Sequence, residues 1–262
     1  MTYSTLLLEV KDSVGHITLN RPAAANSINL DLARDLMYAV LRCDEDPDIR
    51  AVLISGAGNL FCGGGDLKDF RARGEKLPSY IKEVTAYLHS AVSRMTRMAP
   101  LVVAAVHGAA AGAGMSLAIA CDFVIAAETS RFTAAYTRIG LTPDGSMSYF
   151  LPRIVGLRRA LELTLTNRVL TAHEAMEWGI VNQVVPQTEL LSQAKSFAAH
   201  LASGPTRAFG VTKRLLHLGW TETLETQMEH ESQWIADSAR TADAQEGITA
   251  FIGKRKAAFK GQ

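Results

Sequence analysis

An excess of charge is the first thing this chain lacks: 27 lysines and arginines stand against 26 aspartates and glutamates, a net of +1. Such a balance offers no broad field to nucleic acid or to a membrane surface, and no long basic stripe interrupts the pattern. Cysteine is scarce. Cys43, Cys62 and Cys121 have neither paired nor metal-ligand spacing, which excludes a disulfide framework and suits three small buried hydrophobes in a reducing compartment. The seven histidines show no ligand spacing either, so no metal is expected. Long apolar runs are missing too: the run from Leu101 breaks at His107-Gly108, and the next contains Asp122, so none spans a bilayer. The N-terminus has no charged segment ahead of an apolar core, which argues against a secretory signal and for a cytoplasmic protein. No Gly-Lys-Ser/Thr closes a phosphate loop, and no G-x-G-x-x-G marks a dinucleotide site.

What is present is an ordinary globular composition, 48% hydrophobic and 20% charged over 262 residues. That suffices for one large core, or a main domain with a small appendage. Two glycine-rich segments stand out, Phe61-Cys62-Gly63-Gly64-Gly65-Asp66-Leu67 and Gly108-Ala109-Ala110-Ala111-Gly112-Ala113-Gly114. Each follows an apolar, strand-like run and each precedes a helical pattern. Glycines there permit tight strand-to-helix turns. They also leave backbone N–H groups unblocked, and two such donors aimed at one point make an oxyanion hole. The pairing of the segments favours the second reading.

The first half alternates strands and helices. Leu6–Val10 and His16–Leu19 flank a turn at Asp12-Ser13-Val14-Gly15, which predicts a hairpin. The apolar spacing over 29–43 predicts an amphipathic helix capped by Asn29, and Tyr80–Met98 predicts another. Strands are expected over 51–55, 101–106 and 123–126, with a helix over 115–120. This order implies an α/β fold with parallel pairing and crossover helices. Beyond Leu157 the pattern is helical apart from a strand over 181–185, and from about Pro205 it reads as a helical appendage.

The residues resemble the crotonase superfamily, the enoyl-CoA hydratase/isomerase family. The resemblance rests on Leu19-Asn20-Arg21-Pro22 with Asn26, on both glycine-rich segments, and on Cys121-Asp122. It continues through Gly140-Leu141-x-Pro143, Leu151-Pro152-Arg153-x-x-Gly156 and Glu174-Ala175-x-x-Trp178-Gly179, in family order over roughly residues 5–260. It implies a spiral of (ββα) repeats as a core domain, residues 1–204. A C-terminal helical trimerisation region, residues 205–262, would follow, giving a homotrimer or a hexamer built as a dimer of trimers. It further implies a coenzyme A thioester substrate, with no prosthetic group, whose carbonyl is held by the N–H groups of Gly65 and Ala113. Family members often carry alanine and glycine at these two positions.

The two glutamates with which hydratases of the family hold water are replaced here by Ser116 and Tyr136. Neither is a carboxylate base at neutral pH, so ordinary two-glutamate hydration is not expected. The remaining acid is Asp144. Read from the residues alone it is a turn aspartate between Pro143 and Gly145, with apolar neighbours Leu141, Met147 and Phe150 expected to desolvate it. The resemblance reverses that preference, because single-acid enoyl-CoA isomerases place their aspartate at this position. The implied reaction is Δ3-Δ2 isomerisation: Asp144 removes a proton from C2 and returns it to C4. The alternative follows the 4-chlorobenzoyl-CoA dehalogenases of the superfamily, with Asp144 as nucleophile, His89 as base and Tyr136 where those enzymes carry a tryptophan. A helix residue lining a core or subunit contact ranks ahead of a catalytic role for His89. A third alternative is a family member without activity that serves as a binding module.

For the coenzyme A handle the resemblance implies contacts from Ala24, Gly63, Gly64, Asp66, Leu67 and Lys68, and from Lys254 and Lys256 of the same or a neighbouring subunit. Arg21 is a weaker candidate. The acyl pocket is expected between Phe70 and Leu88, in a segment containing a mobile loop, with Tyr136 and Met147.

Overall fold

Asp12 and Ser13 adopt left-handed conformations (φ 52° and 58°), the two-residue turn whose twist matches an antiparallel hairpin. They join β1 (Leu6–Lys11) to β2 (Val14–Leu19) in the computed structural model, which describes residues 3–262. The turn is shorter than the sequence suggests, because Val14 and Gly15 already pair with Lys11 and Val10. Asn29 caps α1 (Leu30–Glu45), its side chain accepting from the Leu32 N–H at 3.0 Å. The chain continues through β3 (Ala51–Gly56), α2 (Leu67–Ala72), α3 (Leu77–Met95), β4 (Leu101–Val106), β5 (Ala109–Ala111) and α4 (Ala113–Ile119). Then come β6 (Phe123–Ala127), β7 (Arg131–Thr133), α5 (Met147–Val155), α6 (Leu157–Thr166), β8 (Leu170–Thr171), α7 (Ala172–Glu177) and β9 (Gln183–Val185). Four helices finish it: α8 (Leu190–Ala202), α9 (Thr206–Leu218), α10 (Leu224–Ala239) and α11 (Ala242–Ile252).

The main sheet runs β1-β2-β3-β4-β6-β9, parallel except for the first pair. Both faces are covered, which is why its central strands read as unbroken apolar runs. Val52, Ile54, Val102 and Ala104 face α1 and α3, while Leu53, Val103, Ala105 and Ile125 pack against Leu190, Ala194 and Ala198 of α8. A second small sheet, β5-β7-β8, lies beside it. A repeat links the two sheets. β4 is followed by β5 and α4, β6 by β7 and later α5, and β3 by a single bridge from Cys62 to Ala110 of β5 and then α2. Both glycine-rich segments therefore occupy the same point in a repeat, between the short strand and its helix.

The C-terminal helices are tied to the core at α9. Lys213 is buried and its Nζ donates to Met95 O (2.8 Å), Pro100 O (3.2 Å) and Asp122 Oδ2 (2.9 Å). Burial pushes the Asp122 carboxyl above its ordinary range, against the pull of the Lys213 ammonium. Beyond α9 the packing thins: α10 has no buried residue, and Leu224, Ile235, Phe251 and Ile252 are exposed, Phe251 at 86%.

The Glu174-Ala175-x-x-Trp178-Gly179 motif is structural. Thr171 and Glu174 form a reciprocal cap on α7, and Arg168 bridges Glu162 and Glu174 over the Trp178 ring. The Thr171 N–H, then Arg168 and the Thr171 hydroxyl, hold the Glu174 carboxyl down to about 2. A carboxyl depressed in the folded state stabilises above its ordinary value of 4.5, and that contribution is lost as pH falls towards 2. Glu174→Gln is expected to flatten this part of the acid limb in urea unfolding across that window.

Among the described residues no helix is long and apolar enough to cross a membrane, and no three metal-ligating side chains cluster. The three cysteines are free and buried, and burial pushes the thiols of Cys43 and Cys62 up to about 12.

Candidate active site

The glycine-rich segments lock together through the backbone. Cys62 N–H donates to Ala109 O (3.1 Å) and Ala111 N–H to Cys62 O (3.0 Å). Gly64 has φ 100°, and a Cβ there would stand 2.8 Å from Ala111 O. At Gly114 a Cβ would stand 2.3 Å from Cys62 O, so the two loops approach only because both positions lack side chains. Gly63 N–H donates to Ala25 O, Asp66 N–H to Ile28 O and Gly112 N–H to Thr133 O. The N–H groups of Gly65 and Ala113 have no acceptor among the described residues, and both residues line one cavity of about 390 Å3. Two orphan donors on one wall are the parts of an oxyanion hole.

Asp144 lies on the same cavity wall, in the loop before α5. His89 of α3 reaches it, Nε2 to Oδ1 at 2.6 Å, and the Gly145 N–H donates to the same oxygen. Oδ2 has no partner among the described residues. Of its expected apolar neighbours, Leu141 and Phe150 each line a cavity with Asp144 while Met147 is fully buried in the core, and Asp144 keeps 28% of its side chain exposed beside His89. The Ser116 and Tyr136 hydroxyls lie 2.7 and 3.0 Å from the Asp144 carbonyl oxygen and 2.8 Å from each other. Burial raises the Tyr136 phenol above its usual range, which keeps it a neutral hydroxyl.

Phe70, Ile81, Val84 and Leu88 form the apolar side of the cavity with Tyr136, as the sequence suggested. Met147 does not reach it, and Ile139 and Leu141 do. The edge of Phe70 takes the space a methyl at position 65 would need, since a Cβ on Gly65 would stand 2.9 Å from the ring. The expected loop between Phe70 and Leu88 is almost wholly helical: α2 passes through one tight turn at 74–76 into α3. Sequence reasoning missed a second cavity of about 720 Å3, lined by His89, Arg97, Arg214, His217 and Trp234. Pro143 and Asp144 line both cavities, so the His89–Asp144 pair stands between them.

The residues expected at the coenzyme A handle divide into groups. Gly63, Gly64 and Leu67 line the first cavity, and Leu67 is half exposed. Ala24 sits in the turn at Pro22–Ala24, held beside Gly63 through the Ala25 carbonyl. Asp66 serves the local structure instead, capping α2 and pairing with Arg21 at 2.8 Å. Burial alone would raise the Asp66 carboxyl, but Arg21 and the Asp69 N–H hold it below its ordinary value. Arg21, engaged with Asp66 and Ser27 O, is not a free cation. Lys68 is exposed on the first turn of α2. Lys254 and Lys256 are exposed beyond α11 and do not line the cavity.

The family model for enoyl-CoA hydratase/isomerase matches residues 9–262. The chain is 37% identical over 258 residues to the 1,2-epoxyphenylacetyl-CoA isomerase of Escherichia coli, covering 98% of each chain. It is 34% identical over 248 residues to 4-chlorobenzoyl coenzyme A dehalogenase-2 of an Arthrobacter species, covering 94% of this chain and 90% of that one. Among solved structures, the enoyl-CoA hydratase of a Polaromonas species superposes with a TM-score of 0.93 at 31% identity, over 98% of this chain and 100% of that one. The agreement runs from end to end in sequence and in fold: the chain belongs to the enoyl-CoA hydratase/isomerase family, within the crotonase superfamily.

Proposed function

We propose that the protein isomerises Δ3-enoyl-CoA thioesters to their conjugated Δ2 forms. One observation carries this reading: among the described residues, Asp144 is the single carboxylate on the wall of the cavity that also holds the free N–H groups of Gly65 and Ala113. The thioester carbonyl takes the two donors. Asp144 removes a proton from C2, the negative charge moves to the thioester oxygen, and each N–H lowers the barrier by about 3 kcal/mol. The protonated Asp144 then delivers that proton to C4, which moves the double bond and restores the carbonyl. Coenzyme A enters as part of the substrate, with Ala24, Gly63, Gly64, Leu67 and Lys68 along its path and Lys254 and Lys256 offered by this or a neighbouring subunit. No prosthetic group is required, and a cytoplasmic setting suits the three free thiols.

Conversion of 3-hexenoyl-CoA to the 2-enoyl thioester, followed by its ultraviolet absorbance, tests the reading. No conversion by the wild-type protein sinks it for linear acyl groups.

A second reading has its own support in the 2.6 Å contact between His89 and Asp144 and in the cavity behind them. On a 4-chlorobenzoyl thioester, the Asp144 carboxylate adds to the ring carbon bearing chlorine, chloride leaves, and an aryl ester forms. Water, giving its proton to His89, then attacks the ester carbonyl, releasing the hydroxybenzoyl thioester and restoring Asp144. Chloride release from 4-chlorobenzoyl-CoA, stalled at the ester stage in His89→Gln, is the result that reading expects.

The exposed apolar residues of α10 and α11 are proposed to pack between subunits of a trimer, alone or doubled into a hexamer. Sedimentation of the wild-type protein is expected to give three or six subunits, and Phe251→Asp with Ile252→Asp to shift it towards the monomer.

A further inference from the structure

We infer that Ser116 and Tyr136, which stand where carboxylates would be in a hydratase, are positioning residues that hold Asp144 so that its Oδ2 meets the substrate. The inference rests on the proposed enolate chemistry for its catalytic meaning and on the hydrogen bonds alone for its geometry. Asp144 sits at the head of an unusual turn: Gly145 and Ser146 are both left-handed, with φ 61° and 73°. For serine that conformation is strained, and it persists only where the surroundings over-determine it. This turn folds the Gly145 N–H back onto Asp144 Oδ1. Ser116 is fully buried and Tyr136 nearly so, and their hydroxyls close a triangle on the Asp144 carbonyl oxygen at 2.7, 3.0 and 2.8 Å. The Met147 N–H donates to the same oxygen at 3.2 Å, so three donors share a carbonyl with two lone pairs.

The consequence is carried to the carboxylate. With its carbonyl clamped, Asp144 cannot rotate its peptide plane without breaking both hydroxyl contacts and the bond from the Met147 N–H. With Oδ1 taken by the Gly145 N–H and by His89, the orientation of the carboxylate is fixed as well. Oδ2 is the oxygen left without a partner among the described residues, and therefore the one free to meet the substrate. A carboxylate that must reach both C2 and C4 of one thioester needs this definition, since misplacement of a reacting group by about 1 Å costs on the order of 100-fold in rate.

Exchange of the C2 protons of butanoyl-CoA in deuterium oxide, followed by proton NMR, reads the base and the oxyanion hole without any need for a double bond. Tyr136→Phe and Ser116→Ala are each expected to lower the saturated exchange rate about tenfold and the double variant about 100-fold, with KM within about twofold of wild type. Phenylalanine keeps the ring and alanine keeps the Cβ, so packing is little changed. In an Asp144→Ala background the same substitutions are expected to add no further loss, because nothing remains to be positioned. Singles and double within twofold of wild type, or equal losses in the Asp144→Ala background, overturn the inference. If the wild-type protein exchanges nothing, the enolate reading fails by itself. The clamp is then judged from the crystal structure of the double variant, in which the Asp144 carboxylate is expected to leave its contact with His89. An unchanged contact overturns it.

Discussion

Asp144→Ala is expected to lower isomerase turnover on the order of 10³-fold, within the range that general acid–base catalysis by one side chain supplies. The substitution removes the group that both takes and returns the proton, while Gly65 and Ala113 still present their N–H groups. Substrate affinity should therefore change much less than turnover. Asp144→Asn sharpens the test, because it keeps the size of the side chain and the carbonyl held by Ser116 and Tyr136 but cannot accept the proton. Steady-state kinetics on 3-hexenoyl-CoA decides it. Turnover within tenfold of wild type in both variants would move the base elsewhere and remove the central step of the proposed mechanism.

Lys213→Met is expected to cost about 3–5 kcal/mol of stability, the penalty for leaving one member of a buried ion pair without its partner. Its side chain is 4% exposed and that of Asp122 13%, so water cannot replace the lost ammonium. Two backbone carbonyls, Met95 O and Pro100 O, lose their donor at the same time. The short connection between α3 and β4 would come loose from α9 together with Asp122. Chemical unfolding of the variant measures the loss. A change below about 1 kcal/mol would mean that α9 is held by its apolar contacts alone.

Much of the fold was legible because its signals are local. The runs at 51–55 and 101–106 read as strands since both faces of the main sheet are covered, and Asn29 announced α1 through its cap. The small sheet left no such trace. β5, β7 and β8 have two or three residues each, too few to show a period, and they exist through pairing with distant partners. α5 was hidden by Pro152 in its interior and by a left-handed Ser146 at its start, without a capping side chain. In the site, the donors at Gly65 and Ala113 and the acid at Asp144 were reached through the resemblance. The residues alone left Asp144 as a turn aspartate. The contact between His89 and Asp144 joins positions 55 residues apart, and no local pattern encodes it. Ser116 and Tyr136 were legible as missing carboxylates, whereas their common grip on one carbonyl oxygen needed the three-dimensional structure.

The interlocked glycine loops divide the labour of this site in a way that bears on how it can evolve. In the proposed mechanism, recognition of the thioester carbonyl belongs to peptide groups fixed by Gly64 and Gly114, and it survives any exchange of side chains that respects those two close approaches. The proposed acid–base group is the Asp144 side chain alone, and the residues at 116, 136 and 144 converge on one spot from α4, the turn that follows β7 and the loop before α5. A carboxylate can be lost from one of these positions and gained at another while the carbonyl stays where it was. Such a scaffold can change its reaction by moving a single acid, without rebuilding the grip on its substrate.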